Sequence, residues 1–201
     1  MNAGKKNNPI GYWSFDEGQG TTAYDYGVIK QTTGTGYDGT LTNMSTSGTS
    51  TAWTEFGKSG KALKFDGVND YVYIDNTNND ILPIENSAFS ISMWLNGSDL
   101  DTTSNKSIMV NETYSSSGFR FGTNTNNQLA FWSSESGGSI SMTSNSSLEE
   151  GKWYLATIVY DGDSAKMYID NNLETEDSSG VIISNTNPIR IAYLIGGKEF
   201  W

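Results

Sequence analysis

The chain contains no cysteine and no histidine. The first absence removes disulfides, thiolate nucleophiles and cysteine metal sites together, and leaves the redox compartment open. The second removes the commonest general base at neutral pH and the commonest transition-metal ligand. Positive charge is also scarce: 12 Lys and Arg face 23 Asp and Glu, a formal charge of -11. So acidic a surface repels phosphate backbones, which argues against nucleic acid and anionic lipid as partners, while it tolerates cations and favours solubility. No apolar run is long enough to span a bilayer, so direct membrane insertion is not expected. Met1–Pro9 lacks the apolar core of a signal peptide and reads as a flexible polar leader, with one domain over residues 10–201.

What is present is short two-periodic segments separated by turn residues. The stretch Trp53–Ile74 reads as a central hairpin, with Ala62–Phe65 turning at Asp66-Gly67 and returning as Tyr71-Val72-Tyr73-Ile74. Ahead of it, Ile10–Phe15 reads as a strand with Trp13 and Phe15 inward, and Thr40–Asn43 as extended chain. Behind it lies the clearest alternation. Phe89, Ile91, Met93 and Leu95 form one face, and Ser90, Ser92, Trp94 and Asn96 the other. Similar patterns recur at residues 108–110, 119–121, 129–132, 140–142 and 166–170, residues 153–160 are apolar on both faces and read as a strand covered on each side, and 181–183 and 189–195 are the last candidate strands. No helical period persists over many turns. Regularly spaced strands and turns of this kind predict an all-β, antiparallel two-sheet β-sandwich.

Several motifs, in order along nearly the whole chain, carry a family likeness. They are Tyr12-Trp-Ser-Phe-Asp-Glu-Gly, Thr21-Thr-Ala-Tyr-Asp, Tyr37-Asp-Gly-Thr-Leu, Gly60-Lys-Ala-Leu-Lys-Phe-Asp-Gly-Val-Asn-Asp-Tyr-Val, Phe89-Ser-Ile-Ser-Met-Trp, Gly151-Lys-Trp, Tyr160-Asp-Gly, Met167-Tyr-Ile-Asp and Ile195-Gly-Gly. With them the chain resembles the laminin-G-like, concanavalin A-like jelly-roll modules of secreted and cell-surface proteins. The resemblance implies a structural Ca2+ near the first strand, with Asp16 and the carbonyl around Gly60 as matching ligands. It also implies a closing strand after Ile-Gly-Gly. The sequence runs out at Phe200-Trp201, so the expectation is a first strand, Tyr12–Phe15, with an open edge able to pair with another protein chain.

Three functions compete. A sugar stacks its apolar face on an indole and offers hydroxyls to short polar groups. Ser92, Trp94, Asn96, Asn111, Arg120 and Trp132 supply both, if adjacent strands bring them to one face, with Tyr114 at its rim. That pattern predicts a non-catalytic, lectin-like module that binds a glycan or surface glycoconjugate. The alternative is a protein-adhesion or spacer module in which the same indoles are ordinary sheet residues. The third reading is a glycan-cleaving enzyme, which needs paired carboxylates on one strand face. The Glu174-Thr-Glu176 spacing reads instead as an acidic turn.

Overall fold

A computed structural model describes residues 9–28, 36–46, 51–77, 88–98, 100, 104–111, 117–133, 139–178, 180, 182 and 185–192. Among them fourteen strands form: β1 (Thr22–Ala23), β2 (Gly39–Thr42), β3 (Trp53–Thr54), β4 (Ala62–Leu63), β5 (Tyr71–Ile74), β6 (Phe89–Asn96), β7 (Lys106–Val110), β8 (Phe119–Thr123), β9 (Gln128–Ser133), β10 (Ser141–Ser147), β11 (Trp153–Tyr160), β12 (Ala165–Ile169), β13 (Asn172–Asp177) and β14 (Ile189–Ile191). An eight-stranded sheet runs β1-β2-β5-β14-β7-β8-β9-β10, a four-stranded sheet runs β13-β12-β11-β6, and β3-β4 is a separate pair. Every pairing among these strands is antiparallel. The chain is thus the all-β sandwich that its alternation predicts.

The core lies between the two large sheets. Val72, Ile74, Phe119, Phe121 and Phe131 fill it from one side, and Ala156, Ile158 and Met167 from the other, all fully buried. The alternation of β6 is realised as expected, with Ile91 and Leu95 buried and Ser90, Ser92 and Trp94 exposed. One side of the sandwich is closed by hydrogen bonds between β10 and β13. Ser146 donates its N–H and hydroxyl to the Glu174 carboxylate at 2.9 and 3.1 Å, and the Asn145 amide donates to the Glu174 carbonyl. Ser141 N–H reaches Asp177 at 2.9 Å. Glu174 therefore belongs to a strand, not to the acidic turn that its neighbours suggest, because β10 supplies donors that its own segment does not contain.

Two further expectations are corrected. Ala62–Phe65 and Tyr71–Ile74 do not pair as a hairpin: β4 pairs with β3, whereas β5 lies between β2 and β14. The Asp66–Asp70 turn explains the divergence. The Asp66 carboxylate accepts N–H groups of Val68 and Asn69 at 2.8 and 3.3 Å, and Asp66 N–H donates to Asp70 at 3.1 Å. The loop satisfies itself, so it can deliver the chain to another sheet without cross-strand bonds of its own. Nor is Tyr12–Phe15 a strand. Trp13 makes an isolated bridge to Asp25, and Phe15 turns the backbone to a φ of 57°. The fully buried Asp25 carboxylate holds this segment instead, accepting N–H groups of Tyr12, Gly27 and Tyr37 at 2.8, 2.7 and 3.0 Å.

Burial, with repulsion from Asp66 adding to it and the Asp66 N–H opposing it, raises the Asp70 pKa above 3.8. A raised carboxyl pKa means that the folded state keeps its proton to higher pH than the unfolded state, so stability falls as pH rises through the folded value. Asp70→Asn is accordingly expected to melt at a higher temperature than the parent at pH 7, with the gap closing below pH 3.8. Melting curves at pH 7 and pH 3 check this, and a variant that melts lower at neutral pH refutes it.

Candidate ligand-binding face

In an antiparallel sheet, residues directly opposite one another present their side chains on the same face, and alternate residues on the other. Across the large sheet, Val72, Ile191, Met109, Phe121, Phe131 and Met142 are in register and face the core. One residue along, the register is Tyr73, Arg190, Val110, Arg120, Trp132 and Ser141, which must face outward. Tyr73, Arg190, Arg120 and Trp132 are partly exposed. The Arg190 guanidinium lies 6.0 Å from the Tyr73 ring centroid, within cation–π range. Val110, fully buried, stands between the two arginines. Two aromatic rings and two guanidiniums thus share one row, with Arg120 directly beside Trp132.

The residues expected to form a single face are divided between two. Ser92, Trp94 and Asn96 lie on β6 of the small sheet, whereas Arg120 and Trp132 lie on the large one, so the two indoles stand on opposite outer surfaces with the core between them. The physical reason is the crossover after β6: its ladder is spent on β11 over all eight residues, and β7, next in the chain, joins the other sheet. On its own surface Trp94 is 46% exposed, with Lys58 Nζ 5.0 Å from the ring centroid. Ser92 Oγ and Thr157 Oγ1 share a 3.0 Å hydrogen bond.

Asn111 is buried and has a structural task. Its amide donates to the Asn187 carbonyl at 2.7 Å, and its carbonyl accepts the Asn185 amide at 2.7 Å. Asn76 adds bonds to the same segment at 3.1 and 3.3 Å, so this asparagine cluster seats the turn that leads into β14. Tyr114 lies outside the described residues. Tyr73 and Arg190 were not singled out in the sequence, although a signal existed. Each alternates with the apolar residues of a short strand, Val72 and Ile74 or Ile189 and Ile191, and so takes the opposite face.

Asp16 and Gly60 do meet. Asp16 Oδ1 accepts the Lys61 N–H at 2.8 Å, and a Cβ at Gly60 would overlap that oxygen. A calcium ion needs six to eight oxygens. Here one carboxylate oxygen is engaged, the Gly60 carbonyl accepts the Gly57 N–H at 3.1 Å, and the Lys61 ammonium, 2.9 Å from Glu55, lies across the neighbouring Gly18. Among the described residues no three acidic side chains converge to hold a metal. The described donors do not by themselves compose a calcium site. Glu174 and Glu176, the carboxylates with catalytic spacing, lie on β13 at the edge of the small sheet. There Glu174 is held by Ser146, and Glu176 stands 3.9 Å from Lys166.

This sandwich and its outer rows define a concanavalin A-like module. Residues 66–201 match the family described as the concanavalin A-like lectin/glucanases superfamily, and the chain belongs to it. Among solved structures it is similar to domain 4 of AbnA, a GH43 extracellular arabinanase from Geobacillus stearothermophilus, in complex with arabinotriose. That match has a TM-score of 0.61 at 17% identity, over 96% of this chain and 86% of that one. Trypanosoma rangeli sialidase gives 0.63 at 12% identity, over 94% of this chain but 28% of the sialidase. The binding domain of Botulinum neurotoxin DC, in complex with rat synaptotagmin II, gives 0.59 at 14% identity, over 92% and 43%. At these identities the likeness is one of fold. No curated protein matches the chain.

Proposed function

We propose that the chain is a non-catalytic carbohydrate-binding module of a secreted or cell-surface protein, and that its glycan lies on the outer face of the eight-stranded sheet. The observation that carries this reading is the Arg120–Trp132 cross-strand pair, extended in the same row by Arg190 and Tyr73. An indole offers an apolar plane to a sugar ring, and guanidiniums donate in-plane hydrogen bonds to ring and exocyclic oxygens. Both kinds of group are held on strands, so the backbone that carries them is ordered before binding. The arabinotriose complex of the similar arabinanase domain supports a glycan as the ligand, and the extracellular origin of that enzyme supports a secreted or cell-surface setting. No step requires calcium or a catalytic base.

The test is a glycan array followed by titration of the best ligand. Trp132→Ala is expected to weaken binding at least about tenfold, the scale of losing one well-seated aromatic contact. Trp94→Ala, on the opposite surface, is expected to leave affinity within about twofold of the parent, and EDTA to leave it unchanged. Equal binding by the parent and Trp132→Ala rejects this face.

A second reading, protein contact, is favoured by the small sheet. Trp94 and Leu173, 46% and 54% exposed, share its outer surface with the partly exposed Leu155 and Tyr168.

A further inference from the structure

We infer that the glycan held by the outer face of the eight-stranded sheet is acidic, and that the carboxylate of a uronic-acid residue sits over Val110, between Arg120 and Arg190. This rests on the glycan reading of that face and adds the charge of its ligand. Arg120 and Arg190 are the only arginines of the chain, one on β8 and the other on β14. The sheet brings them together. Each lies directly opposite Val110, from the two strands that flank β7. Their backbones therefore stand about 10 Å apart, two strand intervals of about 4.8 Å.

The distribution of charge singles out the same face. The chain has 23 Asp and Glu, yet none lies on any of the eight strands of the large sheet. The small sheet, by contrast, carries Glu174, Glu176 and Asp177 on β13. Asp38 and Asp75, just beyond β2 and β5, accept the N–H groups of Asp25 and Thr77 at 2.8 and 3.0 Å. At physiological ionic strength exposed charges are largely screened beyond about 8 Å, so a ligand on this row meets two guanidiniums before it meets the net charge of -11. One acidic residue among neutral sugars gains from that. A polyanion, which extends past the row, meets the repulsion of the rest of the chain.

The order of the row is symmetric: Tyr73, Arg190, Val110, Arg120, Trp132. Val110 faces outward and is nonetheless fully buried, so it is covered from outside, and the arginine stems on either side of it are long enough to do so. This leaves the guanidiniums above an apolar floor, where a charge-assisted hydrogen bond is stronger than in open water. A guanidinium offers paired N–H donors in a planar fork that matches the two oxygens of a carboxylate, a geometry that a lysine ammonium lacks. The two aromatic rings lie outside the arginines, about 19 Å apart over four strand intervals, and take the sugars on either side. The acidic residue is therefore placed within an oligosaccharide, not at its end.

The test titrates matched oligosaccharides into the chain, glucuronate-containing against glucose-containing and galacturonate-containing against galactose-containing. Each pair is measured at about 0.01 M and about 1 M NaCl, between which the Debye length falls from about 30 to about 3 Å. At low salt the parent is expected to bind the acidic member of a pair at least about tenfold more tightly, with the gap shrinking to about twofold at high salt. Arg120→Gln and Arg190→Gln are each expected to lower the ratio of acidic to neutral affinity about tenfold, whereas Trp132→Ala lowers both affinities together. Neutral members bound as tightly as acidic ones, or a preference indifferent to salt or to both arginine changes, overturn the inference and leave the glycan reading standing. Sulfated forms of the same sugars bound more tightly than the carboxylated ones overturn the choice of a uronic acid. A folded parent that binds no acidic, neutral or sulfated member overturns the inference together with the reading on which it rests.

Discussion

Gly118→Val is expected to cost on the order of 4 kcal/mol or more, a large part of the 5–15 kcal/mol by which a domain of this kind is stable. Gly118 has a φ of 93°, which a β-branched residue adopts only with strain. A Cβ there would also overlap the Asn111 carbonyl oxygen and the Asn185 amide nitrogen. Neither obstacle can move cheaply. The Asn111 carbonyl is the acceptor for the Asn185 amide, and Asn111 N–H is bonded to the Phe119 carbonyl at 3.0 Å. The substitution thus opens the asparagine cluster that seats β14 and displaces the start of β8, the strands that carry Arg190 and Arg120. Urea titration checks it: a midpoint within error of the parent contradicts the account, whereas a fall in stability should come with weakened glycan binding.

Phe131→Ala is expected to destabilise the chain by about 3–5 kcal/mol. Phe131 is fully buried, with ring centroids 5.5 Å from Phe119 and 6.4 Å from Phe121, and Phe119 continues the contact to Phe89 across the sandwich at 6.5 Å. Truncation removes the middle of this chain of rings and leaves a space that the surrounding strands cannot close, because their ladders hold them in place. The effect should also reach the ligand face. Trp132 follows Phe131 on β9 and projects the other way, so a shift in that backbone tilts the indole. Denaturant unfolding measures the first effect and glycan titration the second. A loss below about 1 kcal/mol would mean that the aromatic core is not the principal support of the two sheets.

Much of this fold was legible along the chain. Alternation located β6, β8, β9 and β12, since period two is a local property of any half-buried strand; β11, apolar at every other position and between, reads as covered on each side, whereas only its Tyr154, Ala156, Ile158 and Tyr160 face is buried. Alternation failed where pairing is decided by distant partners. The Asp66–Asp70 turn looks like the tip of a hairpin, but its polar groups satisfy one another and leave β4 and β5 free to join different sheets. The segment Asn172–Asp177 looks like an acidic turn until β12 and β10 supply its partners.

The candidate site divides in the same way. Trp94, Arg120 and Trp132 were recognisable as aromatic or guanidinium groups on the polar side of their strands, because each alternates with buried neighbours. Nothing in a periodic pattern says which sheet a strand enters. The sequence by itself determined a histidine-free, acid-rich all-β chain with indoles turned outward. Tertiary structure alone decided that Trp94 and Trp132 lie back to back, that Asn111 is a latch, and that Tyr73 and Arg190 complete the row of Trp132. The physical reason is that side-chain direction is set between adjacent residues, whereas strand order is set by hydrogen bonds between segments tens of residues apart.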